Sequence, residues 1–566
     1  MVRLGCCSNR RKFCTAVSVR WTQGSPAIRP NSQSYRRQNL VSNRRLVAAM
    51  PGNRTIPGCA ALTADTEPME GFSAQHPIPQ LVTHLTRKYN AIQRAYSNGD
   101  SPMGSDFSSV GNAYSTLKDI NRKASSFNKI LGRNHFLTMP MYVQIDNIGF
   151  CNLRCPMCAT HGRDADHAKY QSKTFTMSRE TIDRIATEAF PYAIQCSTSG
   201  LGEGLLHRDI DAIIQSARRY GVRLFVNSNT TTLGTKNVPK LFGITELQLS
   251  IDGALPATFE IIRKGASYTK MLHAARVIST ANSMLPPQLR LEFGINSLLC
   301  ASTMREMPFM VELANYIGAA SLIFYKMEFF MNEAHRMDEY QEEAYDRYPA
   351  YFAYYREQAV SRAKACGLKL ECLDAEPGVA PDPDAGPSNG GLFVKDLGPL
   401  TDDDLPVFAD MVDEQQILAE AEVMAEDALF AAIERHSEFD ETMERHAAEE
   451  THALGTPLVE SFNERFATLT PKDRDLISGS STSQQKVLDC QFLHNALYFK
   501  PNGETRPCCV TTMKDFVGSF PDQSVRDIYQ GPTIAKFNAD FRNGTLTEDC
   551  RVCPVKKMVP LSQLNL

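Results

Sequence analysis

Met141-Tyr-Val-Gln-Ile-Asp146-Asn-Ile-Gly-Phe-Cys151-Asn-Leu-Arg-Cys155-Pro-Met-Cys158 is the stretch from which the fold is read. Met141, Val143 and Ile145 alternate with Tyr142, Gln144 and Asp146, which is the period of a strand. That strand runs directly into three cysteines spaced C-x3-C-x2-C. Downstream, strand-like and helix-like segments take turns. Strands are expected at Ala193–Ser199, Val222–Asn227, Glu246–Ile251, Leu289–Ile295 and Ser321–Lys326. Between them, helices are expected from a Ser178 cap through Ile182, Ile185, Ala186 and Ala189, and at Asp209–Tyr220 closed by Gly221. Further helices are expected at Thr258–Ser283 and at Met304–Ile317 ended by Gly318. Six strands alternating with helices imply a parallel sheet, closed or partly closed as a barrel. In such a barrel chemistry collects at the C-terminal strand ends, where the three cysteines fall.

The rest of the chain sets the limits. It has 566 residues, 43% apolar and 22% charged, enough for several domains of an ordinary soluble protein. No run of about 18 uncharged apolar residues is present, so a membrane-embedded protein is excluded. The net charge is −4, yet residues 1–54 carry ten Arg and one Lys with no acid. Such a leader resembles a transit peptide, but it lacks an amphipathic stripe. An extended start is favoured instead, with Met50 and Met69 each able to begin the chain. The remainder is acidic without a basic cluster, which argues against a nucleic-acid partner. The 16 Cys are bunched rather than spread as a disulfide framework, which reads as intracellular metal chemistry. A cytoplasmic location follows as the expectation.

Three thiolates on one loop leave one corner of a [4Fe–4S] cube unligated, as a cluster that binds a substrate directly requires. Structural zinc sites more often pair two Cys or Cys/His knuckles. The wording of the loop, Cys-Asn-Leu-x-Cys-Pro-x-Cys, resembles the radical S-adenosylmethionine superfamily. That resemblance implies a partial (βα)6 TIM-like barrel, with Cys151, Cys155 and Cys158 holding the cluster that binds S-adenosylmethionine. It implies reductive cleavage to a 5′-deoxyadenosyl radical, and a low-potential electron donor of flavodoxin or ferredoxin type. Gly202 and Glu203 match the family's Gly-Gly-Glu-Pro element, with Gly204 in place of Pro. Asn229 matches its Thr-Asn-Gly, with Thr230 in place of Gly. Ser250 and Asp252 match Ser-Ile-Asp-Gly, and Arg263 is implied as the partner of the cofactor's carboxylate.

Near the C-terminus come Cys490, an Asn502-Gly503 hairpin turn, Cys508-Cys509, a helix over Val525–Asn543 and Cys550-x2-Cys553. Four thiolates so spaced suit either a cluster or zinc. The unit resembles the SPASM/Twitch extension, which implies a fully ligated auxiliary [4Fe–4S] cluster on Cys490, Cys508, Cys550 and Cys553. Cys509 is the alternative to Cys508. The organisation expected is a basic leader at 1–75, a helical extension at 76–138, the barrel at 139–330, a mostly helical acidic insertion at 331–487 and an α+β auxiliary-cluster domain at 488–566.

Within the extension, Leu81, Leu85, Tyr89 and Ile92 lie at helical spacing. In the insertion, 339–366 reads as one helix and Pro377–Gly391 as a loop. Residues 413–452 read as a helix packed by Leu418, Ala421, Ala425, Leu429 and Ile433. His161 and His167 read as solvated loop residues. Tyr325 and Glu328, at the end of the sixth strand, are the positional candidates for a catalytic role. The expected activity is hydrogen-atom abstraction from a peptide or a small molecule, with the auxiliary cluster passing an electron. The competing reading is a non-catalytic iron–sulfur or zinc scaffold.

Overall fold

The structure is a computed structural model. It describes residues 114–566 apart from 159, 163, 172–174, 234–240, 328–337, 439–440, 479–485, 491, 509–515, 548–549, 552, 554–555, 561–563 and 565–566. The basic leader, Leu81 to Ile92 of the helical extension, Glu328 and Cys509 therefore lie outside the described residues.

After helix α1 (Ser115–Leu131), strand β1 (Tyr142–Ile145) leads to the cysteine loop and α2 (Asp164–Tyr170). Then come α3 (Arg179–Ala189), β2 (Gln195–Ser197), α4 (Ile210–Arg219), β3 (Arg223–Ser228), β4 (Glu246–Ser250), α5 (Pro256–Ile262) and α6 (Tyr268–Met284). The alternation continues through β5 (Glu292–Leu299), α7 (Ala301–Met304), α8 (Met307–Tyr316) and β6 (Ser321–Lys326). Beyond it lie α9 (Pro349–Cys366), β7 (Lys369–Glu371), α10 (Glu414–Glu438), α11 (Glu441–Ala467), α12 (Pro471–Ile477) and β8 (Lys486–Asp489). The chain closes with β9 (Ala496–Phe499), β10 (Glu504–Arg506), β11 (Gly518–Ser519), α13 (Val525–Tyr529), α14 (Pro532–Arg542) and β12 (Lys557–Pro560).

Ten strands form one sheet in the order β11-β10-β9-β1-β2-β3-β4-β5-β6-β7, parallel from β9 to β7. Its ends do not meet, so the barrel is partial. One face carries Val143, Cys196, Leu224, Val226, Leu247, Leu249, Ile295 and Leu322 into the main core, against Ile182 and Ile185 of α3, Ile213 of α4 and Leu272 of α6. Each such fully buried aliphatic side chain contributes about 1.5–3 kcal/mol. The residues between them face the other way, into the barrel, because strand side chains alternate.

Five expectations need correction, the first being the single helix expected over 413–452, which is two, α10 and α11. The parallel set is larger than six: β7 adds an edge strand too short to show a period, and β9 pairs with β1 through Tyr142↔Ala496 to Ile145↔Phe499. The expected helix at Thr258–Ser283 is two helices, broken where Gly265 takes φ 102 against the Leu153 side chain. The helix expected at 339–366 starts only at Pro349, since proline suits the first helical position and pushes Tyr348 out of helical geometry (φ −127, ψ 59). The helix at Val525–Asn543 is likewise split, at Gly531-Pro532. By contrast, Ser178 caps α3 by accepting from Thr181 N, and Gly221 and Gly318 take the left-handed conformation after their helices. In α10, Ala421, Ala425 and Leu429 are buried in the main core, as their stripe requires. Among the described residues, no helix is long and apolar enough to cross a membrane.

Candidate radical and iron–sulfur site

The cysteine loop leaves the C-terminal end of β1 and is clamped from several sides. Arg154 N donates to Lys264 O at 3.0 Å, tying the loop to the α5–α6 turn. Buried Leu153 fills the space left by Gly265. Within the loop, Cys158 N donates to Cys155 O and Gly162 N to Cys158 O, both at 2.9 Å. Two sulfurs accept backbone donors: Cys151 Sγ from Leu153 N at 3.5 Å, and Cys158 Sγ from His161 N at 3.3 Å. Cys151 Sγ also accepts from Asn229 Nδ2 at 3.5 Å. Burial pushes the Cys155 thiol up to about 12 against the pull of Arg263. A bound cation would reverse that preference.

The ends of β2, β3 and β4 converge on this loop. Glu203 is buried, with Oε2 accepting from Asn229 N at 2.7 Å and Oε1 from Ser228 Oγ at 3.0 Å. Burial raises its carboxyl to about 7, opposed by these donors. Glu203 N donates to Phe150 O at 2.9 Å, so the glycine turn and the cysteine loop are laced together. Gly202 is required there, because a Cβ would strike the carbonyls of Phe150 and Ile148. Gly204 lies against Thr198 and Asn147, and its Cβ would come within 2.8 Å of Thr198 O. Thr230 holds φ 71, the left-handed backbone that glycine favours.

Asp252 is buried, accepts from Leu298 N at 2.8 Å and forms an ion pair with Arg263. Arg263 is thus held at the barrel end beside Cys155 and Cys158, whose thiols act on it electrostatically. Ser250, half-buried, is the last residue of β4. Tyr325 projects from β6 into the barrel, half exposed, and burial followed by Glu371 and Glu246 raises its hydroxyl.

The reading of His161 as solvated is overturned. It is only 2% exposed, with Nε2 3.0 Å from Leu201 O and Nδ1 3.1 Å from His167 Nδ1.

A second residue missed in the sequence is Asp146. It is buried at the end of β1, its Oδ1 accepting from Leu201 N at 2.7 Å and its Oδ2 from Tyr498 Oη at 2.6 Å. Burial raises it to about 6. Gly200 packs on this carboxylate so closely that a Cβ would collide with it.

In the C-terminal unit β8 and β12 pair antiparallel, Asp489 opposite Lys557. That brings Cys490 towards Cys553, whose charge reinforces the rise that burial imposes on Cys490. Gly503 turns the β9–β10 hairpin with φ 88. Cys508 follows β10 and lines a cavity of about 70 Å³ with Tyr142, Gln144 and Tyr498. Cys550 is half-buried, its N donating to Thr547 Oγ1 at 3.3 Å. Among the described residues, no three His, Cys, Asp or Glu side chains are gathered as a single metal ion would need.

The residues present fit the groups that the motif implies. Three thiols lie on one loop, and two of them, Cys151 and Cys158, are served by N–H donors, as cluster sulfurs are. Beside them, Asn147 Oδ1, Thr198 Oγ1 and Thr230 Oγ1 are buried without a partner. Such unpaired polar atoms call for a polar ligand.

The family model described as the radical SAM superfamily matches residues 148–283. That of the iron–sulfur cluster-binding domain SPASM matches residues 490–554. A radical SAM domain implies S-adenosylmethionine and a [4Fe–4S] cluster, and a SPASM domain implies auxiliary iron–sulfur clusters. No curated protein matches the sequence. Among solved structures, SuiB of Streptococcus suis bound to S-adenosylmethionine is 12% identical, with 85% of this chain and 84% of that one covered and a TM-score of 0.43. Native anSMEcpe with bound AdoMet and the Kp18Cys peptide is 14% identical, with 73% and 86% covered and a TM-score of 0.40.

Proposed function

Since the chain carries a radical SAM domain and a C-terminal SPASM domain, we propose that it abstracts a hydrogen atom from a substrate held in the barrel and that an electron then leaves through an auxiliary cluster. Cys151, Cys155 and Cys158 would hold the S-adenosylmethionine-binding cluster, and Cys490, Cys508, Cys550 and Cys553 the auxiliary one. When bound, the reduced cluster and S-adenosylmethionine together supply a 5′-deoxyadenosyl radical. The protein's part is to bind, orient and exclude water.

Glu203 and the Gly200–Gly204 turn receive the cofactor's ammonium, with Ser228 and Asn229 fixing the carboxylate's direction. Arg263 offers its guanidinium to the carboxylate while Asp252 keeps it in place. Asn229 steadies Cys151. The single observation that carries the reading is the contact of Glu203 and Asn229 at 2.7 Å, which draws the ends of β2 and β3 onto the cysteine loop. A net oxidation suits the electron exit, on a peptide or a small molecule. A flavodoxin- or ferredoxin-type donor supplies the first electron.

Iron analysis and Mössbauer spectroscopy test the two-cluster assignment. Anaerobically reconstituted protein is expected to hold about eight irons, falling to about four in Cys550→Ala/Cys553→Ala. Tightly held zinc in place of the second set would overturn it.

A further inference from the structure

A closed (βα)8 barrel fills its interior with branched aliphatic side chains. This one does not. Five neighbouring strands each point a carboxamide inward: Gln144 from β1, Gln195 from β2, Asn227 from β3, Gln248 from β4 and Asn296 from β5. All but Gln248 remain partly exposed. The apolar and aromatic side chains on the same face of these strands are Tyr142, Phe225 and Leu298.

The hydrogen bonds within this set leave acceptors over. Asn296 Nδ2 donates to Asn227 Oδ1 at 2.6 Å, spanning β4. Gln248 Nε2 donates to Glu246 Oε1 at 3.1 Å and to Ser321 Oγ at 3.4 Å. Asn296 Oδ1 and Gln248 Oε1 are left buried with no donor. A buried acceptor without a donor costs about 1–3 kcal/mol, so the site favours a ligand that donates.

The charges on the inner face exclude one class of ligand. Arg223 is engaged by Glu246 at 3.6 Å and Glu292 at 3.4 Å, and Lys369 by Glu371 at 2.8 Å. Both cations are committed and the acids exceed them. Among the described residues, a phosphate or carboxylate entering here meets these acids, and both inner-face cations, Arg223 and Lys369, are already paired.

We propose that the barrel takes a small, uncharged, hydroxyl-rich molecule, a polyol, whose O–H groups donate to Asn296 Oδ1 and Gln248 Oε1. This rests on the reading of the barrel mouth as the reaction site. A peptide would present fewer hydroxyls to these acceptors.

Saturation-transfer NMR on the anaerobically reconstituted protein with S-adenosylmethionine and no reductant tests it. The probes are mannitol, myo-inositol, myo-inositol 1-phosphate and acetyl-trialanine amide. At least one neutral polyol is expected to be saturated, and the phosphate and the peptide not. Its signal is expected to drop at least about fivefold in Gln248→Leu and in Asn296→Leu, as loss of one hydrogen bond requires. Binding of the phosphate or the peptide in preference to both polyols overturns the proposal. So does saturation of none of the four, or a polyol signal unchanged in both variants. Dithionite-driven 5′-deoxyadenosine formation, read without any probe in the same preparation, separates the two failures. Its absence sinks the radical assignment, whereas its presence without polyol binding sinks only the substrate class.

Discussion

Tyr498 Oη donates to Asp146 Oδ2 at 2.6 Å, joining β9 of the C-terminal unit to the end of β1, where the cysteine loop begins. The same carboxylate accepts from Leu201 N in the glycine turn. Strand seam, turn and loop therefore share one buried charge. Tyr498→Phe removes a donor to the ionised form, so Asp146 should rise further above its present value of about 6. The expected loss is about 1.5–3 kcal/mol at pH 8 and much less at pH 4.5, where the carboxyl is protonated. Thermal unfolding of both proteins at the two pH values checks this. An equal loss at both would show that the hydroxyl packs rather than pairs.

Gly202→Ala should uncouple the turn from the cysteine loop, since the new Cβ has only the backbone carbonyls of Phe150 and Ile148 to displace. S-adenosylmethionine binding is expected to weaken by at least about tenfold, or 1.4 kcal/mol, with circular dichroism unchanged. Equilibrium dialysis measures it. Unaltered affinity would mean that the turn does not shape the cofactor site.

Thr230 carries both a strained backbone (φ 71) and a buried hydroxyl without a partner. A left-handed β-branched residue costs on the order of 1–3 kcal/mol, and glycine gives back about 0.5–1 kcal/mol in chain entropy. Thr230→Gly is therefore expected to raise the melting temperature by a few degrees. A lower melting temperature would show that the threonine side chain contributes more packing than its backbone loses.

Glu306 lies buried beneath the start of α5, accepting from Leu255 N at 2.9 Å and from Thr258 Oγ1. Burial raises it from 4.5 to about 7. The folded chain thus holds this proton more tightly than the unfolded chain does. Its contribution is fully present below about 4.5 and is lost as pH rises to about 7, on the order of 3 kcal/mol in all. Glu306→Gln should flatten that part of the stability profile between pH 5 and 7.5. Parallel profiles for the two proteins would contradict it.

What could be read from the sequence was local. The alternation in Met141–Asp146 and Ser321–Lys326 gave strands close to those observed, and Ser178, Gly221 and Gly318 marked helix ends by chemistry that acts within a few residues. The grouping of Glu203, Asn229, Asp252 and Arg263 near the cysteine loop was expected from the family resemblance, not from the residues alone. Long-range pairings left no such trace. Nothing in Ala496–Phe499 signals a partner at Tyr142–Ile145, and a strand of three residues such as β7 has no period to detect. Asp146 and Tyr498 were missed for the same reason, since their contact depends on that seam. The Gly265 break was visible as a glycine, but only the approach of Leu153 makes it obligatory.

The central claim is that the Cys151–Cys158 loop and the strand ends around it bind and reductively cleave S-adenosylmethionine. Chromatographic detection of 5′-deoxyadenosine, after anaerobic reconstitution with iron and sulfide and addition of dithionite and S-adenosylmethionine, tests it most directly. The account predicts the nucleoside from the wild-type protein and none above background from Cys155→Ala. No 5′-deoxyadenosine from a wild-type preparation whose cluster is intact by spectroscopy, or equal amounts from both proteins, would contradict it.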